Sequence, residues 1–186
     1  MQLTLEGKAS RKHIAKPAEA MSATRTKSHS LEKFYGGAIK TDHFHEMILG
    51  IYRTEPAARI KLIKAGVSPK VFIVLAKSMG RSKEDLGRAL GLSAATIDRK
   101  AKLGEKLSAD QGERVVGMAR LIGQVLAMVE ESGDPTDFDA AQWIAGWLDT
   151  PVPALGGHHP AEYMDTAEGR GLVSWTLAMM QSGSYA

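Results

Sequence analysis

Ser82-Lys83-Glu84-Asp85-Leu86-Gly87-Arg88-Ala89-Leu90-Gly91-Leu92-Ser93-Ala94-Ala95-Thr96-Ile97-Asp98-Arg99-Lys100-Ala101-Lys102 is the stretch that decides the fold. Ser82 followed by Asp85 approximates a capping box and opens a helix. Leu86, Ala89 and Leu90 make its apolar stripe. Gly91 supplies the left-handed residue that ends it. Leu92 plugs the core, and Ser93 caps a second helix. In that helix Ala94, Ile97 and Ala101 turn inward. Ser93, Ala95, Thr96, Arg99 and Lys100 are then the candidate DNA-binding residues. Early positions of such a helix reach base edges in a major groove, and later cations reach phosphates. Two plainer readings stay open: a helical hairpin with exposed cations, and a helix-turn-helix kept as a scaffold without DNA.

The same punctuation runs outward in both directions. Phe44, Met47, Ile48 and Ile51 form a helical stripe behind a candidate cap at Asp42. Pro56 suits the first turn of a helix carrying Ile60, Leu62 and Ile63, which stops at Gly66. Ser68-Pro69 opens another through Phe72, Ile73, Leu75 and Ala76, closed by Gly80. Ser108 and Gln111 form a capping box before a long helix reaching Glu131. Its Val115, Met118, Ile122, Val125 and Val129 recur at 3,4,3,4 spacing, a coiled-coil-like seam. The seam is either an intrachain core or a dimer contact. Asp137 can cap a helix with Ala140, Trp143, Ile144, Trp147 and Leu148, ended by Pro151. A stiff connector runs to Pro160. A last helix starts near Thr166, with Val173, Leu177 and Met180 on one face and Trp175 and Met179 nearby. No segment alternates at period two long enough to argue a sheet. The predicted class is all-α: a helix-turn-helix DNA-binding domain over residues 42–105, then a helical dimerisation and partner-binding domain over 106–186. Residues 1–41 read as a flexible basic arm that either touches phosphates or is a plain tail.

Charge divides along the same line. Residues 1–33 hold seven Lys/Arg against three Asp/Glu, residues 34–110 fourteen against eight, and residues 111–186 three against ten. A net charge of +3 over 186 residues therefore hides a basic front and an acidic back. Such a split suits two partners of opposite charge. The absence of cysteine rules out disulfides, thiolate metal sites and thiol catalysis. It fits a reducing cytosol, and a cytoplasmic location is expected. No apolar run approaches the ~20 residues of a membrane span. His43-x-His45 and His158-His159 lack metal-ligand spacing, so no metal is expected. There is no Gly-x-Gly-x-x-Gly, P-loop or Gly-x-Ser-x-Gly, and neither an enzyme nor a cofactor is expected. The chain instead closes on Gln181-Ser182-Gly183-Ser184-Tyr185-Ala186, with no charged side chain after Arg170. An uncharged end with an aromatic ring is fitted to enter a partner.

The phrase Leu86 to Ile97 resembles the helix-turn-helix of phage-repressor-type regulators. Further on, the pattern Trp147-Leu148-x-x-Pro151-x-x-x-Leu155-Gly156-Gly157-x-x-Pro160, then Asp165-Thr166-x-x-Gly169-x-x-x-Val173, then Gly183-x-Tyr185-Ala186, resembles the toxin-binding domain of the Xre/MbcA/ParS-like antitoxins. Ser184 departs from that pattern, which has an aliphatic residue there. With the helix-turn-helix, the resemblance covers roughly residues 40–186. It implies a type II antitoxin whose partner is a RES-domain toxin that destroys NAD+. It implies a C-terminal tail that enters the toxin active site and a helix-turn-helix that represses the shared operon. The toxin-binding residues it implies are Leu155, Trp175, Ser182, Gly183, Ser184, Tyr185 and Ala186. The partners it implies are the toxin, operator DNA and a second copy, as a homodimer within a hetero-oligomeric complex. A different reading of the same residues is a stand-alone repressor with a ligand- or partner-sensing C-terminal domain.

Overall fold

A computed structural model describes residues 43–133 and 138–181. They form eight α-helices. The only pairing of extended backbone among the described residues is an isolated bridge between Val152 and His158. The all-α expectation holds. No helix among the described residues is long and apolar enough to cross a membrane.

Helix α1 is Phe44–Arg53, with Phe44, Met47, Ile48 and Ile51 buried as expected. The expected cap Asp42 lies outside the described residues; His43 holds the cap position and makes no side-chain capping bond. Helix α2, Pro56–Ala65, differs from expectation. Ile60 is 52% exposed, Leu62 and Ile63 are only half-buried, and the buried residue is Arg59. The cause is the end of α1. Arg59 Nη1 donates to Thr54 O at 2.6 Å and to Ile51 O at 3.3 Å. These carbonyls lie at the negative pole of α1, where a buried cation is favoured. Helix α3, Pro69–Ser78, is capped by Ser68 and buries Val71, Phe72, Leu75 and Ala76.

Helices α4, Lys83–Leu90, and α5, Ala94–Leu103, are the helix-turn-helix. The Ser82 hydroxyl accepts from Asp85 N, and the Ser93 hydroxyl accepts from Thr96 N. Gly91 sits at φ 61°, ψ 36°, the left-handed geometry expected of it. Ile97 is fully buried, while Ala94 and Ala101 are half-buried.

Helix α6, Ala109–Ser132, opens with the complete Ser108/Gln111 capping box. It packs against α1 above all, and also against α2 and α3. Val115, Met118, Ile122 and Val125 are buried and Val129 is half-buried, and Val116, Ala119, Leu121 and Leu126 are buried on other sides of the helix. The 3,4 seam is thus intrachain core, covered by the chain's own elements. Two copies cannot meet along it without unpacking the fold.

Helix α7, Ala140–Leu148, and helix α8, Ala167–Gln181, also pack on α6. Asp139, not Asp137, caps α7, accepting from Ala141 N and Gln142 N at 3.0 Å each; Asp137 is outside the described residues. Between α7 and α8 the chain makes two short 3-10 turns, Pro153–Leu155 and Pro160–Tyr163. A Cβ on Gly169 would lie 2.0 Å from Tyr163 O, so the start of α8 presses directly on the second turn. Val173, Thr176 and Leu177 form the inner face of α8, whereas Met180, expected there, is 40% exposed. Apolar packing runs unbroken from Phe44 to Leu177. The stretches 42–105 and 106–186 therefore share one core, with α6 as the common wall.

Candidate functional site

Two surfaces collect the candidate residues. The first is the outward side of α5. Ser93 and Ala95 are exposed and Thr96 is half-buried, so the start of the helix is open. Arg99 is solvent-facing and grips Glu105 with both terminal nitrogens, at 3.3 Å each. Lys100 is different. Its side chain is only 18% exposed, and its Nζ donates to Lys106 O at 3.0 Å. It holds the loop after α5 and turns away from the open face. The cation that shares the face of Ala95 and Arg99 is Lys102, three residues beyond Arg99 and exposed. Helical periodicity alone could have identified it. Asp98, beside this face, is neutralised across the motif by Lys83.

The turn of the motif is tied to α6. Arg114 Nη1 donates to Leu90 O and to Gly91 O, both at 3.2 Å, while Asp110 orients the guanidinium.

The second surface is the outward side of α8. Trp175 is 58% exposed and Leu172 is 39% exposed. Gly171 and Ala178 are exposed and Met179 is half-buried beside them. At 3.6 residues per turn these positions form one strip facing away from the core. No charged residue falls within it after Arg170. The helix is thus apolar on two sides, only one of which the chain covers. Its rotation is set by polar pairs on the flank. Gln124 Nε2 donates to Ser174 O at 2.9 Å, and the Ser174 hydroxyl donates to Gln124 Oε1 at 2.6 Å. Arg170 donates to Met164 O at 3.1 Å and to Glu113 at 3.3 Å. Burial pushes the Arg170 guanidinium below its ordinary pKa, partly offset by Glu113.

Leu155 was expected to touch a partner. It is 5% exposed and belongs to the core, because the 3-10 turn that carries it folds inward. Its contribution is to seat the connector. Ser182, Gly183, Ser184, Tyr185 and Ala186 lie outside the described residues. His158 and His159 serve the connector too: His158 Nδ1 lies 3.3 Å from Glu162 and His159 Nδ1 lies 2.8 Å from Asp149 O. Trp143, 38% exposed, stacks on the buried Trp147 at 6.1 Å between ring centres.

The stretches that carry both surfaces match known families. Residues 58–120 match the antitoxin Xre-like helix-turn-helix domain, from α2 into the first half of α6. Residues 137–183 match the antitoxin Xre/MbcA/ParS C-terminal toxin-binding domain, which includes the whole of α7 and α8. The chain is also similar to the "Prs ADP-ribosylating antitoxin" of Sphingobium sp. (strain YBL2). The two are 42% identical over 136 residues, which span 73% of this chain and 86% of the relative.

Proposed function

Since the chain belongs to the antitoxins that join an Xre-like helix-turn-helix domain to an Xre/MbcA/ParS C-terminal toxin-binding domain, we propose a specific mode of action for it. It is an antitoxin, not an enzyme, and its partner is a toxin. The toxin is of the RES type and consumes NAD+. The outward strip of α8 docks on it, and Ser182–Ala186 enter its active site. Residues 106–186 are the toxin-binding and dimerisation unit. Residues 42–105 bind operator DNA and repress the shared operon, with residues 1–41 as a basic arm.

The observation that carries this reading is the uncharged strip Gly171, Leu172, Trp175 and Ala178, which leads directly to the tail after Gln181. An apolar helix face left open, followed by the uncharged sequence 182–186, suits a surface meant to be covered. The Sphingobium relative bears on the substrate, since its name couples an antitoxin to ADP-ribosylation of Prs. ADP-ribosyl transfer draws on NAD+. A toxin that transfers ADP-ribose and one that only destroys the dinucleotide both need a dinucleotide pocket, and the same plug would close either. A pocket that holds phosphates is electropositive, and the acidic C-terminal half would be steered to it. Tyr185 would take the space of a substrate ring.

Truncation after Gln181 tests the plug. The truncated chain keeps the α8 strip and should still co-purify with toxin. The toxin in that complex should regain activity. Full inhibition by the truncated chain at saturation would place the inhibition in the domain body and refute the plug.

A further inference from the structure

A groove of about 660 Å³ runs between α2, α6 and α8, beside the open strip of α8. Gly171 belongs to both. It lines the groove and starts the strip, and a Cβ added there would meet nothing within 4 Å. The α2 wall carries Ile60, 52% exposed, and the half-buried Ile63. Six large apolar side chains are exposed among the described residues, and four of them, Ile60, Leu172, Trp175 and Met180, lie on α8 or across this groove from it. Apolar surface left open on both sides of one cleft suits a partner, since the fold gains nothing from exposing it.

The groove is also cationic. Residues 111–186 hold only three cations, Arg114, Arg120 and Arg170. Arg114 pairs with Asp110, and Arg170 with Glu113. Those two carboxylates line the groove, so both are already neutralised. Arg120 is exposed on the α6 side and makes no hydrogen bond or ion pair among the described residues; Lys64 stands in the same state on α2. Arg59, the other cation of the lining, is turned onto the carbonyls of Ile51 and Thr54. Arg120 and Lys64 thus flank an apolar cleft, and the occupant complementary to it is apolar along its middle and acidic at its edges.

The size of the α8 surface points the same way. Its open strip and the sequence 182–186 offer about ten residues, whereas a stable protein–protein interface takes about 20–30 a side. A toxin seated on α8 has to reach further, and Gly171 opens onto the groove. We infer that an acidic, apolar segment of the toxin lies in the groove, so that α2 and α6 hold the toxin together with α8. Ile60 is its apolar anchor on α2, and Arg120 pairs with its carboxylates. This contact lies outside residues 137–183, which match the toxin-binding domain; Ile60 and Arg120 fall instead in residues 58–120, which match the helix-turn-helix domain. A cationic groove within an otherwise acidic C-terminal half fixes the orientation of the toxin as well as holding it. The inference rests on the reading of α8 as the toxin-binding face proposed above.

Surface plasmon resonance on immobilised cognate toxin tests this with the full chain. The variants are Ile60→Ala, Arg120→Ala and Arg120→Glu, with Trp175→Ala reporting the α8 contact. Ile60→Ala should weaken binding about 5-fold, through the off-rate. Arg120→Ala should weaken it about 10-fold and Arg120→Glu further, and the Arg120→Glu loss should shrink as ionic strength rises. All three side chains are exposed, so the free variants should melt with wild type. Unchanged toxin affinity in Ile60→Ala and both Arg120 variants, with Trp175→Ala weakened, overturns the groove contact while the α8 reading stands. A silent Trp175→Ala removes that reading and this inference with it. Variants silent toward toxin that weaken self-association in sedimentation velocity give the groove to a second copy. Variants silent toward toxin that melt early, as deletion of residues 1–42 would then also do, give it to the chain's own N-terminal segment. Either result overturns the inference. Should Ile60→Ala alone melt early, the Arg120 variants decide, and a loss in Arg120→Glu that does not respond to salt overturns the charge pairing.

Discussion

Replacing Trp175 by alanine should separate toxin affinity from stability. Trp175 is 58% exposed and is not part of the core cluster. An indole side chain offers up to about 250 Å². About 145 Å² of it therefore faces outward, worth about 3.5 kcal/mol at ~25 cal/mol per Å² if a partner covers it all. Cover is never complete and alanine keeps a methyl, so the expected loss is about 2–3 kcal/mol, the range of an interface hot spot. That is about 30- to 150-fold in Kd for the toxin. Surface plasmon resonance with immobilised toxin measures it, and most of the change should appear in the off-rate. Thermal melting of the free chain should move little, since no core residue loses a partner. Wild-type toxin affinity in a folded Trp175→Ala chain would refute the assignment of this face. A large fall in melting temperature would refute the claim that the face is free in the chain alone.

Further outcomes follow from other contacts. Arg99→Ala should lower operator affinity by about 1–3 kcal/mol if it reads a base, or flatten the salt slope if it holds a phosphate; an electrophoretic shift series in salt distinguishes these. Lys100→Ala should leave the salt slope alone and lower the melting temperature instead, because Lys100 donates to Lys106 O. Gly123→Ala should cost about 1–3 kcal/mol by overpacking, read as a lower urea midpoint, since its Cβ would lie 2.6 Å from Tyr52 Cβ and 2.8 Å from Ile48 O. The Glu162 carboxyl is held below the usual range, first by the His159 backbone N–H and then by His158, against desolvation. With a folded pKa below the unfolded one, its stabilisation is present above the ordinary carboxylate pKa and fades as pH falls through the folded value. An NMR titration of Glu162 at or above the ordinary value would contradict this.

Local chemistry carried most of the fold. Elements such as Ser82 to Gly91 and Ser108 onward stand where their caps and glycines place them, whereas the cap of α7 is Asp139 in place of the expected Asp137. What sequence could not show depends on distant neighbours. Arg59 is buried because the carbonyl end of α1 arrives beside it, and no periodicity in Pro56–Ala65 reports that. Lys100 is withdrawn from the open face because residues 104–107 return over it. Leu155 turns inward because the bridge between Val152 and His158 closes its loop. Lys102 is legible in its three-residue spacing from Arg99, a face that the adjacent Lys100 does not share.

Helix α8 shows why a site can be harder to read than a core. Its apolar residues at 172, 173, 175, 177, 179 and 180 cover too wide an arc for a surface helix. Sequence alone permits two explanations: a helix buried on all sides, or one buried twice, by its own chain and by another. Burial decides between them. Val173 and Leu177 are closed off, while Leu172 and Trp175 are open. Nothing in the fold needs the open strip, and an uncovered tryptophan next to leucine and methionine carries a cost in solubility. A partner covering the strip, as proposed above for the toxin, would remove that cost. The strip lies on the same helix that Arg170 ties to Met164 O in the connector and to Glu113 on α6.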